Sequence, residues 1–470
     1  MRKFTSARSW FFAPAILAMA LAPISQPPRL VSAAGDAVGR YQENGIALPA
    51  VKRDWLLNGL QLILIEQKGT GRVRAHLRIN NGAMFDLAGK GGLADLTAGM
   101  LLKGCVGLTA KGVSDLMEQS EITADISVGW DSTDLIFSGP SGSLEEIIDL
   151  VSRIITTPAF DQKELDSLKA ARIKAVTTDV QDTGEAVRRK TMEAVFGRHP
   201  FGRPPRGTAE SIARISRDDL VYYHNRFYIA NNSEIVVSGD VTSPQFTQLA
   251  RTKLGLWKKG EKVPPTFMPP DPHNKRQVLL LDRPGQSANA ALGQIALSRR
   301  AGDYYSAVLM NELLSALSRE TTSSSGRETT IDCKLEARLI PGPLLVGIKG
   351  PADRAAGSIE SVLDVMTRLR DGRFSAEELA AAKRRVIQDF SARIQTTEGA
   401  ADAILDIEMY GLGRDYLIHF AEWIGAVTQA DVTAAAQKYL TPQSLSIVVA
   451  GPATELSAGL SKLGPVTVAK

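Results

Sequence analysis

One stretch of this chain occurs twice. Ser143, Glu145, Asp149 and Arg153 return as Ser358, Glu360, Asp364 and Arg368, each 215 residues later. Phe160, Glu164, Leu165 and Lys169 return as Phe374, Glu378, Leu379 and Lys383, each 214 residues later. Ile235–Gly239 is matched by Ile447–Gly451 near the end of each copy. A repeat of this length is a copied structural unit, so two versions of one domain are expected. Their bounds read as 45–254 and 276–454. Between them, 255–275 reads as a linker, because prolines at 264, 265, 269, 270 and 272 can neither pair in a sheet nor continue a helix. Residues 455–470 read as a tail.

Within each copy the apolar spacing predicts an amphipathic helix, Leu144, Ile147, Ile148, Val151 and Ile155 in the first and Ile359, Val362, Leu363, Met366 and Leu369 in the second. Its stripe must cover a sheet. Strands are predicted at Leu62–Ile65, Leu135–Phe137, Leu344–Ile348 and Leu445–Val449. Helices and strands mixed in this way predict an α+β fold, two homologous α/β sandwich domains related by duplication.

The first 33 residues have the three parts of a secretory signal peptide. Arg2, Lys3 and Arg8 precede an apolar run from Trp10 to Ile24, and Val31 and Ala33 put small side chains before a predicted cut at Ala34. The alternative is a membrane anchor, but the run contains Pro14 and Pro23 and is shorter than the roughly 20 apolar residues of a spanning helix. The expected location is periplasmic or secreted, with no membrane span after cleavage. Removing this segment takes four basic residues and no acid, which brings the formal charge from +4 to zero. A chain without a cationic excess is not expected to bind nucleic acid. Cys105 and Cys333 are the two cysteines of the chain, read either as one bridge or as two separate buried thiols.

Several segments carry a resemblance. Asn58-Gly59-Leu60 precedes an apolar strand, Asn81-Gly82-Ala83 leads into Gly89-Lys90-Gly91-Gly92-Leu93-Ala94, and His199-Pro200-Phe201-Gly202-Arg203-Pro204 follows. Tyr222-Tyr223, Phe227-Tyr228, Asn231-Asn232 and Gly239-Asp240 close the first copy. In this order they resemble the pitrilysin/insulinase family of zinc peptidases. The resemblance implies a His-x-x-Glu-His motif on the helix after the glycine run, two imidazoles holding zinc and a glutamate activating its water. At those positions this chain has Asp95, Ala98 and Gly99. The resemblance also implies a third ligand, a glutamate on the helix after Phe160. Lys169–Thr178 contains no carboxylate, histidine or cysteine, although Glu164 and Asp179 flank it. No metal site and no catalytic residue is therefore expected, and Asp95 reads as a surface or capping acid early in its helix.

No other catalytic pattern replaces the lost one. His76, His199, His224, His273 and His419 share no ligand spacing, the glycines fit neither a P-loop nor a dinucleotide fingerprint, and no Gly-x-Ser-x-Gly elbow occurs. Ser143 reads as a helix cap. The family resemblance implies an Arg/Tyr substrate contact in the second copy, within 315–330. Arg319 and Arg327 lie there without a following tyrosine, which leaves Arg327 as the substrate-binding candidate. Thr321–Gly326 reads either as a substrate-sensing loop or as a lengthened surface loop.

Three functions are consistent with this reading. The first is a pseudo-peptidase subunit that pairs with a zinc-bearing relative around a peptide substrate, with zinc in the partner, as a heterodimer or homo-oligomer. The second is a stand-alone peptide-binding or scaffold protein resembling the core subunits of respiratory cytochrome complexes. The third is a metalloendopeptidase with an unrecognised site.

Overall fold

The computed structural model describes residues 42–43, 46–47, 50–264, 269–271, 275–323 and 329–469. Residues 1–33 and Arg327 lie outside them. Each copy forms one six-stranded sheet. The first comprises β1 (Val51–Trp55), β2 (Gln61–Glu66), β3 (Arg72–Ile79), β4 (Thr123–Val128), β5 (Thr133–Pro140) and β6 (Ser233–Gly239), in the order β1-β2-β6-β3-β5-β4. The second comprises β7 (Gln277–Asp282), β8 (Ser287–Ile295), β9 (Thr330–Leu335), β10 (Pro343–Pro351), β11 (Ser446–Gly451) and β12 (Val466–Ala469), in the order β9-β10-β8-β11-β7-β12.

Read from opposite ends, the two orders coincide for five strands. The parallel pair β2/β6 corresponds to β7/β11, and the antiparallel run β6-β3-β5-β4 corresponds to β11-β8-β10-β9. The sixth strand breaks the likeness. The first sheet is completed by β1, antiparallel to β2, and the second by β12, parallel to β7. Residues 455–470 are therefore not a loose tail through 469: helix Ala453–Leu460 and β12 complete the second sheet. The expected linker also starts too early, since Trp257 is buried in the first core and its indole donates to the Tyr228 carbonyl.

Each sheet buries the predicted helix. On the first, α1 (Leu144–Thr156) buries Leu144, Ile147, Ile148, Val151 and Ile155. On the second, Ala355–Arg370 buries Ile359, Val362, Leu363, Met366 and Leu369. Ser143 precedes α1, but its hydroxyl donates to the Ser120 carbonyl at 2.8 Å, so it ties the helix to a neighbouring turn and does not cap it. The second repeated block opens a long helix in each copy, α2 (Gln162–Gln181) and α3 (Ala376–Gln395). Asp161 caps the first by accepting from the Glu164 amide, and Ser375 and Glu378 cap the second reciprocally.

The helix after each of these crosses to the other copy. α4 (Thr183–Phe196) lies on β8 and β11 of the second sheet, and α5 (Thr397–Tyr410) lies on β6 of the first. The two seats differ chemically. α4 is held by apolar packing, with Val187 against Leu281, Ala291, Val448 and Ala450, and with Val195 and Phe196 in a cluster that includes Leu345. Gly293 on β8 permits this approach, for a Cβ there would stand 2.5 Å from Thr191 Cγ2 and 2.8 Å from Val195 Cγ2.

α5 adds charge to apolar packing, for Ile63, Ile65 and Val236 of the first sheet are buried in one cluster with its Ala401 and Ile404. Asp406 accepts from Arg78 at 2.8 Å, Asp402 lies 3.3 Å from His76, and Glu408 accepts from Arg53 at 2.9 Å. Beneath them Asp134 accepts from His76 Nε2 at 2.7 Å and Arg78 Nε at 2.6 Å. Burial acts to raise the Asp134 pKa, but the His76 hydrogen bond and the Arg78 charge outweigh it and hold the group at about 2.

Candidate functional site

The helix that would carry the zinc motif is Leu93–Met100, hereafter the motif helix. Its position is set by glycines and one carboxylate. Gly92 adopts φ +92° at its N-terminus, and a Cβ there would meet the Arg206 carbonyl oxygen at 2.8 Å; Gly207 likewise sits 2.2 Å, by its own hypothetical Cβ, from Gly91 O. The glycine run thus lies directly against the chain that follows His199–Pro204. Asp86 accepts from the amides of Gly92 at 2.7 Å and Ala94 at 2.8 Å, which satisfies two free donors of the first turn. Burial pushes Asp86 up to about 7 against the pull of those amides.

On this helix Asp95, Ala98 and Gly99 face α2. Asp95 is not a surface or capping acid: its side chain is 13% exposed and lies 2.8 Å from Arg172 Nε. That contact is held by charge, without hydrogen-bond alignment. Burial raises the Asp95 pKa, and the charges of Arg172 and Arg206 oppose the rise. Gly99 has little room, since a Cβ would meet Leu168 Cδ2 at 3.1 Å and Arg172 Nη2 at 3.6 Å. Arg172 lies inside Lys169–Thr178, the segment to which the resemblance assigns the third ligand. The flanking Asp179 is taken by Arg206 at 3.0 Å, and Glu164 lies two turns before Arg172 at the start of α2.

Zinc does not fit this arrangement. A dication would face two guanidiniums and one carboxylate already paired, beside a methyl group and a glycine. No group of three or more His, Cys, Asp or Glu able to hold a metal occurs among the described residues. The ion pair across the motif helix and α2 was missed in the sequence because Arg172 was read only as the absence of a ligand. Its signal was faint: an acid at the motif position, and Arg172 as one of three cations, with Lys169 and Lys174, in the facing stretch.

The other candidates are scattered. His76 belongs to the α5 seat, His224 Nε2 contacts the Ile155 carbonyl at 2.9 Å with its pKa lowered by burial to about 4, and His199 Nδ1 accepts from the Phe201 amide. His419 is exposed beside Glu422, and His273 lies outside the described residues. Arg319 donates to the Ile331 carbonyl within the second copy. The expected loop at Thr321–Gly326 begins too early, for Thr321–Ser323 close the helix Tyr304–Ser323, and 324–326 lie outside the described residues. Cys105 and Cys333 are buried free thiols in separate copies.

One open feature adjoins the motif helix. β4 is the last strand of the first sheet, packs beside that helix, and alternates exposed and half-buried residues. Its outer edge pairs with no strand among the described residues, so it can hydrogen-bond an extended peptide backbone.

A duplicated α/β sandwich whose glycine-led helix faces a second long helix is the scaffold of a zinc peptidase, here with an ion pair in place of the metal site. The chain belongs to the insulinase family of peptidases, family M16, as a member without the catalytic motif: residues 62–209 match the family description "Insulinase (Peptidase family M16)" and residues 214–386 match "Peptidase M16 inactive domain". A Helicobacter pylori protein named "Non-peptidase homolog YmxG" is 23% identical over 207 residues, 44% of this chain and 48% of that protein. The chain spans about half the length of that and the next two curated relatives it matches. The peptidase M16 inactive domain from Pseudomonas fluorescens has the same fold, with a TM-score of 0.78 at 21% identity over 86% of this chain and 98% of that one. So does the periplasmic protease PqqL from Escherichia coli, with a TM-score of 0.73 at 14% identity, over 90% of this chain but 52% of that one.

Proposed function

We propose that this chain is an exported, non-catalytic subunit that pairs with a zinc-bearing relative and forms one wall of its peptide chamber. The observation that carries this reading is the Asp95–Arg172 pair, 2.8 Å apart, at the site where the family's peptidases hold metal. The scaffold around it is kept while the chemistry is replaced, which suits a role in binding and positioning. The match to about half of PqqL supports pairing, because a chain of this size corresponds to one half of that longer protein. The free edge of β4 supplies a place for an extended peptide, and ordering a substrate beside a partner's metal lowers the entropic part of the barrier.

The test is to isolate the chain from its host, identify the zinc peptidase that copurifies, and measure peptide turnover by that enzyme with and without this chain. Turnover is expected to rise at least about tenfold on mixing, with no turnover and no stoichiometric zinc in the isolated chain. A partner that cleaves equally well alone overturns the reading. Amino-terminal sequencing of exported material is expected to start near Ala34, and recovery of Met1 would return the segment to an anchor.

A further inference from the structure

Among the described residues seven large apolar side chains stand exposed, and three of them meet at one tip of the first copy: Trp55 at 48%, Leu57 at 103% and Leu256 at 96% of full exposure. The tip is two tight turns locked together. In one, Leu56–Gly59 closes through the Gly59 amide to the Leu56 carbonyl at 2.8 Å; in the other, Leu254–Trp257 closes through the Trp257 amide to the Leu254 carbonyl at 3.1 Å. The Asn58 side-chain amide joins them, donating to the Leu254 carbonyl at 2.8 Å and the Trp257 carbonyl at 3.0 Å. Leu57 and Leu256 are thus presented outward on a rigid support while their neighbours Leu56, Leu254 and Trp257 are buried.

The second copy provides an internal control. Its equivalent turn, Leu460–Leu463, closes in the same way at 2.9 Å and buries Leu460 and Leu463, as Leu254 and Trp257 are buried here. Where the first copy exposes Leu256, the second exposes Lys462. The turn does not need a leucine at that position. Around the tip stand exposed Lys258 and Lys259, and Arg414 lies over the Trp55 ring at 5.8 Å.

We propose that this tip inserts into a lipid surface that carries anionic headgroups. Three side chains offer too little area for a stable protein interface, which needs about 800 Å² from each partner. They suffice to enter the acyl boundary of a bilayer, where each buried apolar group counts singly and flanking cations add attraction to anionic lipid. Trp55 suits the same boundary by its amphipathic ring. The association is peripheral, and no described helix is long and apolar enough to cross a membrane. It is independent of the chamber reading.

The test uses the full chain and vesicles of phosphatidylglycerol and phosphatidylethanolamine with brominated acyl chains, which quench tryptophan only on insertion. Part of the emission is expected to be quenched, and Trp55→Phe to remove that part, whether or not the amino-terminal apolar run is present. The Leu57→Ser, Leu256→Ser double variant is expected to lower partition at least about tenfold with unchanged thermal midpoint, since both side chains are exposed. Phosphatidylcholine vesicles are expected to bind less well. Absence of Trp55 quenching, or equal partition by the double variant, overturns the proposal, as does a double variant that loses a protein partner while the vesicles never quench. Equal binding to phosphatidylcholine overturns the anionic part.

Discussion

Asp95 stands where the family resemblance puts the first histidine of the motif, Arg172 lies in the stretch where it puts the third ligand, and the two supply the charges of a pair between these helices. Removing one partner leaves the other buried, so Arg172→Met is expected to cost about 2 kcal/mol, and adding Asp95→Ala to recover most of it. A double-mutant cycle by urea denaturation reads the coupling. The loss from Arg172→Met should be larger at pH 8 than at pH 5, because Asp95 already has a raised pKa and takes up a proton as the pH falls. Glu234 offers a cleaner titration. It accepts from Asn80 at 2.8 Å, and burial pushes it up to about 7. A carboxyl raised in the folded state ionises first in the unfolded chain, so stability falls as the pH rises from about 4.5 to about 7. Glu234→Gln is therefore expected to match the parent near pH 4 and to exceed it by up to about 3 kcal/mol at pH 8, measured from urea midpoints. An advantage over the parent no larger at pH 8 than at pH 4 would show that the group is not held neutral.

The elements that cross between copies respond to different perturbations. On the α4 side the contact is steric: Gly293→Ala puts a methyl group into Thr191 and Val195 and is expected to cost about 2 kcal/mol, with a lower urea midpoint and an unchanged slope. On the α5 side ion pairs surround the apolar contact made by Ile63, Ile65 and Val236. Asp134, held at about 2, and Asp402, held low despite its burial by the His76 hydrogen bond, contribute stability above the ordinary carboxylate range that is lost as the pH falls through their folded values. Pepsin near pH 2 is accordingly expected to cut within Thr397–Tyr410 before Thr183–Phe196, and the reverse order would contradict the contribution of charge to that seat. Much of this level was readable beforehand. The repeat gave the duplicated sheets, and the spacing from Leu144 to Ile155 gave the helix on the first, because periodic burial leaves a periodic pattern. The crossing of α4 and α5 was hidden, since Val187 and Val195 look like any core side chains and the sequence does not say whose sheet they cover. β12 was hidden for a related reason: Val466–Ala469 is short, and its partner β7 lies nearly two hundred residues earlier. At the motif, the loss of His and Glu was legible one residue at a time, whereas the Asp95–Arg172 pair depends on two helices meeting.

At the scale of the whole molecule, the exchange of helices means that neither copy can finish folding alone. A fragment ending near 264 exposes Ile63, Ile65 and Val236 among the charges of its sheet face, and carries α4 with Val187 stripped of its cover. The second copy made alone shows a like defect, an apolar sheet face on β8 and β11 with nothing upon it. Both fragments are expected to aggregate at concentrations where the full chain does not, a difference that sedimentation of the three would reveal. Synthesis makes the two defects unequal in time. The half that emerges first carries α4, and that helix waits through the making of some 250 further residues for the surface it covers. Whatever holds the chain unfolded during that interval must shield α4, which makes that helix the segment a holding chaperone would be found upon.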